Sequence, residues 1–387
     1  MSNLFERYQE EAKKRCRLRD LGFSIGEYPT GKWNSVTDVA GVSVGHSTLI
    51  EGSGRRKPGN GPVRTGVTVI IPNDDIYNRR LTSGGFILSG AGEIAGFTQV
   101  AEWGFIETPL ALTNTLSVGR VSDSVIKWMA QKYPQIREQQ DVVIPVVGEC
   151  DDSFLNDTVG LHIKPVHVFS ALETAKGDRV PEGAVGAGTG MICCDLKAGI
   201  GTSSRVFPMG SVEYTMGVLV LSNFGVMEHL RMDGYPIGRV LATLQGNYSR
   251  RVHSYGSIIV VIATDMPLTA MQLNRLCRRA ALGIGRVGSY GAHGSGEIVI
   301  GFSTANVIPR VAESPQVNFT VILDMFLDPA YKAVIEATEE AILNSLTMAV
   351  DMEGAGGNRV PAVNLALLKS LLEHYHSVST LMRAKPR

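Results

Sequence analysis

A serine stands at the entrance of a long apolar run in the segment GSIIVVIATD, residues 256–265. Six consecutive apolar residues, Ile258 to Ala263, follow Ser257 and predict a strand buried on both faces. A hydroxyl at this place can attack the carbonyl of Gly256 and form an ester by an N-to-O acyl shift. Water would then release Ser257 as a new N-terminus whose α-amine, with a reference pKa of about 7.7–8.0, can accept the hydroxyl proton. A polar residue that merely starts a strand is the alternative that these residues alone leave open.

A second serine and a carboxylate lie close together downstream, in the segment SGEIVIGF. Ser295 and Glu297 are two residues apart at the head of a predicted strand, so an extended backbone points both side chains to one face. A carboxylate behind a serine can orient a hydrogen-bond relay to a nucleophile or to its ammonium group. From these residues alone, a solvated loop is an equally good interpretation.

The elements that surround these residues predict a layered α/β protein. Continuous apolar runs predict strands buried on both faces, and longer amphipathic segments predict the helices that cover them. The predicted strands are residues 41–50, 65–72, 142–147, 217–223, 257–263 and 297–302, and the predicted helices are the N-terminal segment and residues 121–133, 268–282, 328–350 and 362–376. The segment EGSGRRKPGNGP, residues 51–62, predicts an exposed loop because it is rich in Gly, Pro and charge.

Several familiar motifs occur in contexts that do not support their usual chemistry. GIGRVG, residues 283–288, matches a dinucleotide pattern but follows a predicted helix, where that site needs a strand. The GxSxG matches around Ser24 and Ser43 are interpreted as chance, because Ser43 sits inside a predicted strand. The sequence contains no metal-ligand spacing, so no metal site is predicted, and His46 and His253 are interpreted as structural residues.

The charge balance and the cysteine count limit the partners and the location. Lys plus Arg and Asp plus Glu both total 37, so the formal net charge is zero. This balance gives no electrostatic reason to expect nucleic acid or an anionic membrane and favours a small-molecule or peptide substrate. No apolar run approaches the ~20 residues that span a bilayer. The start, MSNLFERYQEEAKKRCRLRD, has no apolar core like that of a secretory signal, and its Glu and Asp residues argue against a mitochondrial transit peptide, so a cytoplasmic protein is predicted. Five cysteines without a CxxC pattern fit reduced thiols.

The sequence around Ser257 resembles a known family. Seven segments are similar to the self-processing L-aminopeptidase/D-amidase/D-esterase (DmpA) family, which includes β-peptidyl aminopeptidases. These segments are WNSVTDVAGVSVGHSTLI, TGVTVIIP, LALTNTLSVG, GAVGAGTGMICCDLKAGIGTSSRV, YTMGVLVLSNFG, GSIIVVIATD and QLNRLCRRAALGIGRVGSYGAHGSGEIVIGFST. The resemblance runs from Trp33 to Asn306 and continues more weakly to the C-terminus. It implies an α/β fold of four layers, an αββα sandwich similar to N-terminal-nucleophile hydrolases and to ornithine acetyltransferases.

The resemblance also implies how the chain is organised. Residues 1–387 would form a single catalytic domain that cleaves itself between Gly256 and Ser257 into chains 1–256 and 257–387, which stay together. The family suggests a homotetramer of such processed pairs. Its reaction needs no metal ion and no organic cofactor.

Site residues follow from the same resemblance. Ser257 matches the nucleophile, and Ser295 and Glu297 match the serine and glutamate of the downstream S-G-E motif. Asn223, at the end of VLVLSN, matches an asparagine whose amide helps to form the oxyanion hole, although a plain turn asparagine would be the interpretation without the family. Glu149 matches an acidic residue that holds the free ammonium group of the substrate. Such a buried carboxylate favours aminopeptidase over endopeptidase action, because an internal peptide bond brings no compensating charge.

One segment departs from the family pattern. After the glutamate the family often has threonine, an aromatic residue such as tyrosine, aspartate and glycine, whereas this chain reads ECDDSFLND. Cys150 and Asp151 therefore stand at the threonine and aromatic positions, and the nearest aromatic residue, Phe154, has no hydroxyl. Asp151 is a further candidate for substrate binding, since its charge near Glu149 would favour basic or longer amino-terminal residues.

The expected function is a hydrolase that releases N-terminal residues from short peptides, amino-acid amides or esters through an acyl-Ser257 intermediate. Acyl transfer to an amine, as in ornithine acetyltransferases, is an alternative because the same acyl-enzyme could pass to an amine instead of water. A second alternative is an unprocessed binding protein that keeps the fold without the chemistry. The sequence leaves the choice between L-, D- and β-amino acids open.

Overall fold

The computed structural model describes residues 4–139, 141–244 and 256–383. The strands are β1 (Ser43–Glu51), β2 (Val63–Ile71), β3 (Arg79–Gly90), β4 (Ile94–Ala95), β5 (Phe105–Ile106), β6 (Leu110–Asn114), β7 (Val146–Cys150), β8 (Ile192–Cys193), β9 (Leu196–Lys197), β10 (Ile200–Met209), β11 (Val212–Asn223), β12 (Gly256–Thr264), β13 (Ser295–Pro309), β14 (Met352–Glu353) and β15 (Arg359–Val360). The helices are α1 (Leu4–Ala12), α2 (Phe97–Trp103), α3 (Val118–Lys132), α4 (Gln135–Glu138), α5 (Pro165–Glu173), α6 (Ile237–Leu244), α7 (Ala270–Arg286), α8 (Asp328–Thr347) and α9 (Leu365–Arg383).

Two sheets form the centre of the molecule. The first sheet has the strand order β1-β2-β6-β7-β4, and the second has the order β10-β11-β12-β13-β3-β5. Their facing sides share one hydrophobic core, in which Val69 and Val147 of the first sheet meet Leu219 and Ile259 of the second. Helices α3 and α5 pack on the outer side of the first sheet, and α7 and α8 pack on the outer side of the second. This arrangement confirms the predicted four-layer αββα sandwich.

Strand β12 is buried on both faces, as its apolar run predicts. Ile259 and Val261 face the first sheet, whereas Ile258 and Val260 belong to the second core beneath α7 and α8. Because side chains alternate along a strand, Ser257 lies on the same side as Ile259. The apolar run therefore fixes the direction of the serine toward the space between the sheets.

Most predicted elements are confirmed, and one strand is wrong. The predicted strand at residues 142–147 is displaced, because β7 begins only at Val146. Val142 is 71% exposed and Ile144 is 41% exposed, whereas Val143 between them is buried in the core, so the first half of this apolar run is only partly core. Pro145 has no N–H for a sheet ladder, which explains why pairing starts after it. Helix α7 continues through Gly283 and Gly285 of GIGRVG, which therefore forms no dinucleotide turn.

A buried ion network ties the helical layer to the second sheet. The guanidinium of Arg205 in β10 is fully buried and donates to Glu340 in α8 at 2.8 Å and to Glu336 at 3.2 Å. Arg19 donates to the other oxygen of Glu340 at 2.7 Å. Burial raises the pKa of Glu340, but Arg205 and Arg19 outweigh it and hold the pKa below the usual range. Charges paired in this way hold α8 against β10 and β11.

We expect Glu340→Gln to destabilise the protein by about 3–5 kcal/mol, because it removes the closer of the two carboxylate partners of the buried Arg205 and leaves only Glu336 at 3.2 Å. The free energy of unfolding is measured by urea denaturation. Asp123→Asn removes an exposed pair with Lys127 and serves as the control, with a change of less than about 1 kcal/mol. Equal small losses in both variants would contradict a structural role of the buried network.

Candidate active site

Ser257 lies between a strand that carries Asn223 and a strand that carries Ser295 and Glu297. In the antiparallel pairing of β12 with β11, Ser257 stands opposite Asn223. In the parallel pairing with β13, Gly256 stands opposite Ser295 and Ser257 opposite Gly296. Ser257 is 6% exposed, so it is largely buried but keeps a small contact with solvent. Backbone pairing on both sides therefore gathers residues that are far apart in the sequence.

The first sheet brings a thiol against the hydroxyl of Ser257. Cys150 ends β7, is fully buried, and forms a hydrogen bond with the Ser257 side chain. Its Sγ donates to the carbonyl of Leu221 at 3.6 Å. Burial, followed by the nearby charge of Glu149, raises the pKa of the Cys150 thiol well above its ordinary value. Cys150 is therefore a neutral neighbour of the hydroxyl and not a competing thiolate nucleophile.

Glu149 is a buried carboxylate with fixed orientation. One oxygen accepts the backbone N–H of Glu93 at 2.9 Å, and the other accepts the hydroxyl of Thr115. Burial raises the pKa of Glu149, and these two hydrogen bonds limit the rise. A Cβ on Gly92 would lie 3.3 Å from Glu149 Oε1 and 3.3 Å from the Cα of Gly296, the residue paired with Ser257. Only the bare backbone of Gly92 therefore separates this carboxylate from the strand beside Ser257.

The amide of Asn223 is oriented by two backbone groups. Its Oδ1 accepts the N–H of Ile192 at 2.9 Å, and its Nδ2 donates to the carbonyl of Asp151 at 2.9 Å. An N–H needs an acceptor and a carbonyl needs a donor, so these contacts fix which end of the amide is nitrogen. Nδ2 therefore points toward the end of β7, on the side of the sheet where Cys150 meets Ser257.

Ser295 and Glu297 are joined as the sequence predicts. Ser295 Oγ donates to Glu297 Oε1 at 3.2 Å, and both side chains are buried. The hydroxyl of Ser289 donates to the same oxygen at 2.5 Å. Glu297 Oε2 is buried, and no hydrogen-bond partner for it lies among the described residues. These side chains line a small cleft with Gly256, which connects the pair to the predicted cleavage site.

The carboxylate of Asp151 points away from the other site residues. It is exposed, and its oxygens accept the N–H and the hydroxyl of Ser153 at 2.8 and 2.9 Å. Its charge nevertheless contributes to the raised pKa of Glu149. Asp152 is fully buried and burial raises its pKa to about 7, so it is largely neutral at lower pH. The backbone carbonyl of Asp151 therefore contacts Asn223, whereas its carboxylate affects the site only through the electrostatic effect of its charge on Glu149.

Three contacts of the site carry no local signal in the sequence. In the sequence, Cys150 differs from the family pattern but shows no link to Ser257, and its contact with Ser257 arises because two different sheets face each other. Ser289 is eight residues from Glu297, and Thr115 is 34 residues from Glu149. The segments VGSY and LTNT contain these two hydroxyls, but only the packed fold shows which carboxylate each one meets.

Other predicted features of the chain lie outside this cluster. Within the described ranges, no group of three His, Cys, Asp or Glu residues could hold a metal ion, and no helix is long and apolar enough to cross a membrane. His46 is buried and bonded to Thr68 at 2.9 Å, and burial lowers its pKa to about 4, which fits a structural histidine. His253 lies outside the described residues. A groove of about 880 Å³ between α1 and the β14–β15 pair shares no residue with the cluster.

Sequence comparisons identify relatives that cover nearly the whole chain. A family model described as Peptidase family S58 matches residues 34–360. The chain is 40% identical over 375 residues to the β-peptidyl aminopeptidase BapA of Sphingosinicella microcystinivorans. That alignment covers 94% of this chain and 93% of the relative, so the similarity includes both sides of the Gly256-Ser257 bond.

Solved structures give the same result. A β-aminopeptidase from Burkholderia sp. has a TM-score of 0.84 and 40% identity, covering 92% of this chain and 99% of that protein. The L-aminopeptidase D-Ala-esterase/amidase of Ochrobactrum anthropi has a TM-score of 0.85 and 36% identity, covering 93% and 99% of the two chains. It is described as a prototype of the serine aminopeptidases and a variant of the Ntn hydrolase fold.

These matches span the sheets, the helical layers and the strands that carry Ser257, Asn223 and Glu297. They confirm the predicted resemblance, the N-terminal-nucleophile fold and a hydrolase with aminopeptidase function. The chain belongs to peptidase family S58.

Proposed function

We propose that this chain cleaves itself before Ser257 and then acts as a serine aminopeptidase through that residue. The observation that carries the proposal is the position of Ser257 in β12, opposite Asn223 on one side and next to the Ser295 pairing on the other. Its hydroxyl faces the thiol of Cys150 in the space between the sheets. A serine that merely starts a strand would need none of these polar neighbours in a largely apolar interior.

The processing step uses the geometry of the Gly256-Ser257 junction. Ser257 Oγ attacks the Gly256 carbonyl carbon, the C–N bond breaks, and the acyl group moves to oxygen while the nitrogen becomes the α-amine. Water then hydrolyses the ester and releases the Gly256 carboxylate. A Cβ on Gly256 would lie 2.6 Å from the Cα of Phe224 and 3.0 Å from the carbonyl of Asn223. Only glycine therefore fits at this place between the two strands.

Catalysis on a substrate repeats the same acyl chemistry. The freed α-amine takes the proton from the Ser257 hydroxyl, whose oxygen attacks the scissile carbonyl carbon. The resulting α-ammonium then passes this proton to the leaving amine or alcohol as the scissile bond breaks and the acyl-Ser257 ester forms. Asn223 Nδ2 offers an N–H to the oxyanion, and loss of such a donor typically costs ~10²–10³ in kcat. Ser295 and Glu297 lie with Gly256 along the cleft on the opposite face of the sheet from the Ser257 hydroxyl, and from there they support the freed ammonium group of Ser257. Water then releases the acyl group.

Glu149 supplies the requirement for a free amino terminus. Its carboxylate is buried and lies beside Gly92, which contacts the strand next to Ser257. A substrate ammonium compensates the cost of keeping that charge buried, whereas an internal peptide bond would leave it unpaired. The substrates proposed are therefore short peptides, amino-acid amides or esters with a free α- or β-amine. The names of the relatives from Sphingosinicella and Burkholderia support the inclusion of β-amino acids.

Two further properties belong to the same proposal. The five cysteines of the chain are free thiols, which supports a reducing compartment, and we propose the cytoplasm. The chains 1–256 and 257–387 stay together after cleavage, because β12 is held between β11 of the first chain and β13 of the second. Separation of the chains would expose the apolar faces of these strands.

We expect the purified protein to give two species by intact mass under denaturing conditions. The smaller begins at Ser257 and holds 131 of the 387 residues, the difference between 387 and 256. Ser257→Ala should give one species of 41.7 kDa and no hydrolysis of amino-acyl amides, because it has no nucleophile.

Ser222→Ala is the matched control for that experiment. Ser222 is a buried serine that stands opposite Ile258, and among the described residues its hydroxyl has no hydrogen-bond partner. This variant should cleave and hydrolyse like the wild type. A single full-length species in the wild type, or cleavage in Ser257→Ala, would contradict the proposal.

We expect Asp151→Ala to reduce the preference for lysyl over alanyl amides. The exposed carboxylate of Asp151 is close enough to Glu149 to oppose its ionisation, so it adds attraction for a second positive charge on the substrate. The ratio of kcat/KM for the two amides should fall about twofold to fivefold, as for an exposed charge pair worth less than about 1 kcal/mol.

The control for this specificity test is Asp123→Ala, which removes an exposed aspartate from α3. It should leave the ratio unchanged. Equal kcat/KM for alanyl and lysyl amides in both the wild type and Asp151→Ala would contradict a role of Asp151 in specificity.

We also propose a homotetramer of processed pairs, supported by an exposed apolar segment before α8. Val317, Phe319, Val321 and Leu323 alternate along this segment and are 40–65% exposed. Light scattering should give four times the 41.7 kDa chain mass, and Phe319→Lys with Leu323→Lys should lower it. Val142→Lys changes an exposed apolar residue outside this segment and serves as the control. A monomeric wild type would contradict this part of the proposal.

A further inference from the structure

Lys197 is a fully buried cation that the reaction steps above do not use. It ends β9, and its Nζ donates to the carbonyls of Gly188, Met191 and Ala198 at 3.1, 2.8 and 2.6 Å. Among the residues that the structure describes, no carboxylate lies within ion-pair distance of Nζ. Burying a lysine side chain costs folding free energy unless other groups compensate its charge, so the groups around Nζ must supply that compensation.

The three acceptors identify the charged form of Lys197. A neutral amine has two N–H donors and a lone pair, which would face one of the carbonyl oxygens. An ammonium has three donors and matches the three carbonyls. Burial lowers the pKa of Lys197 to about 7, and the three hydrogen bonds favour the protonated form against that effect. The positive charge is thus balanced by backbone dipoles.

One of these carbonyls belongs to the peptide group that holds Asn223. The carbonyl of Met191 accepts from Lys197, and the N–H of Ile192, in the same peptide group, donates to Asn223 Oδ1 at 2.9 Å. A cation at the oxygen draws electron density through the peptide and makes its N–H a stronger donor. The same effect passes through the side-chain amide, because a stronger bond to Oδ1 makes the N–H groups on Nδ2 more acidic.

The hairpin formed by β8 and β9 also fixes this relay in space. Ile192 pairs with Lys197 across the hairpin, and Cys194 N–H donates to the carbonyl of Phe224 at 2.7 Å. Phe224 directly follows Asn223, so the hairpin contacts the end of β11 both at the Asn223 side chain and at the backbone. Lys197 therefore lies two hydrogen bonds and one peptide group from the amide.

We propose that Lys197 is a positioning residue for the aminopeptidase reaction: its charge, transmitted through the Met191-Ile192 peptide, orients the Asn223 amide and strengthens Nδ2–H as the oxyanion donor. This inference rests on the proposed function, since it assigns Asn223 to the oxyanion. It predicts that Lys197 affects the transition state more than substrate binding, because charge develops on the oxygen only during attack.

The test is a double-mutant cycle on fully processed protein, with an alanyl amide as substrate. Lys197→Met should lower kcat about tenfold, a fraction of the ~10²–10³ expected for Asn223→Ala, and leave KM within about twofold. In the Asn223→Ala background, Lys197→Met should lower kcat almost no further, because the amide on which the relay acts is absent. Independent, multiplicative losses in the double variant would overturn the proposal.

Two controls separate the charge from a general loosening of the loop. Lys197→Gln keeps amide donors for the carbonyls but has no charge, so it should lose activity like Lys197→Met; full activity in Lys197→Gln would overturn the proposal. Lys197→Gln also replaces Lys197→Met in the cycle if the methionine variant does not fold. Thr189→Val removes a hydrogen bond to Gly186 at 2.6 Å in the same loop and should keep kcat near that of the wild type.

The cycle also separates this inference from the proposed function. An Asn223→Ala variant with normal kcat would show that the proposed oxyanion role is wrong. A strong loss in Asn223→Ala, combined with normal kcat in folded Lys197→Met, would leave the oxyanion role standing and overturn the relay alone.

Discussion

The pairing of β12 with a strand on each side is the constraint on which the site depends. The register places Ser257 opposite Asn223 and Gly256 opposite Ser295. Since side chains alternate along a strand, a slip of one residue would turn the Ser257 hydroxyl into the helical layer and a core isoleucine toward Asn223. The apolar residues after Ser257 are buried on both faces and make such a slip costly. The burial that stabilises the fold therefore also orients the hydroxyl of Ser257, the proposed nucleophile.

The second sheet carries the proposed nucleophile, Ser257, and the first sheet carries the residues that face it. Cys150 and Glu149 reach the site only because the ends of β7 and β12 face each other between the sheets. Both groups are buried, and burial has different chemical consequences for the thiol and for the carboxylate. It keeps the Cys150 thiol neutral and inert, whereas it leaves Glu149 as a costly carboxylate that an ammonium group can stabilise. In the proposed function, the preference for a free amino terminus follows from the cost of leaving the buried charge of Glu149 unpaired.

The sequence predicts the parts of the site that are local. The apolar run after Ser257 and the two-residue spacing of Ser295 and Glu297 depend on strand geometry alone. The sequence therefore predicts both the buried strand and the contact between Ser295 and Glu297. Contacts between sheets, such as that of Cys150 with Ser257, depend on which strands face each other, and no spacing contains that information. The strand predicted at residues 142–147 is displaced in the structure for a different reason. Its prediction rested on the apolar residues and neglected Pro145, which has no N–H for the sheet ladder. Residue roles such as that of Asn223 came from the family resemblance, since a lone asparagine after a strand has no distinguishing pattern.

The most direct test of the account is the site of acylation. The processed protein is mixed with a slowly hydrolysed amino-acyl ester, quenched in acid, digested and analysed by mass spectrometry. The account predicts an added aminoacyl mass on the peptide that begins at Ser257, carried by the side chain of its first residue. An adduct on Cys150, or turnover without any adduct on the peptide that begins at Ser257, would contradict it.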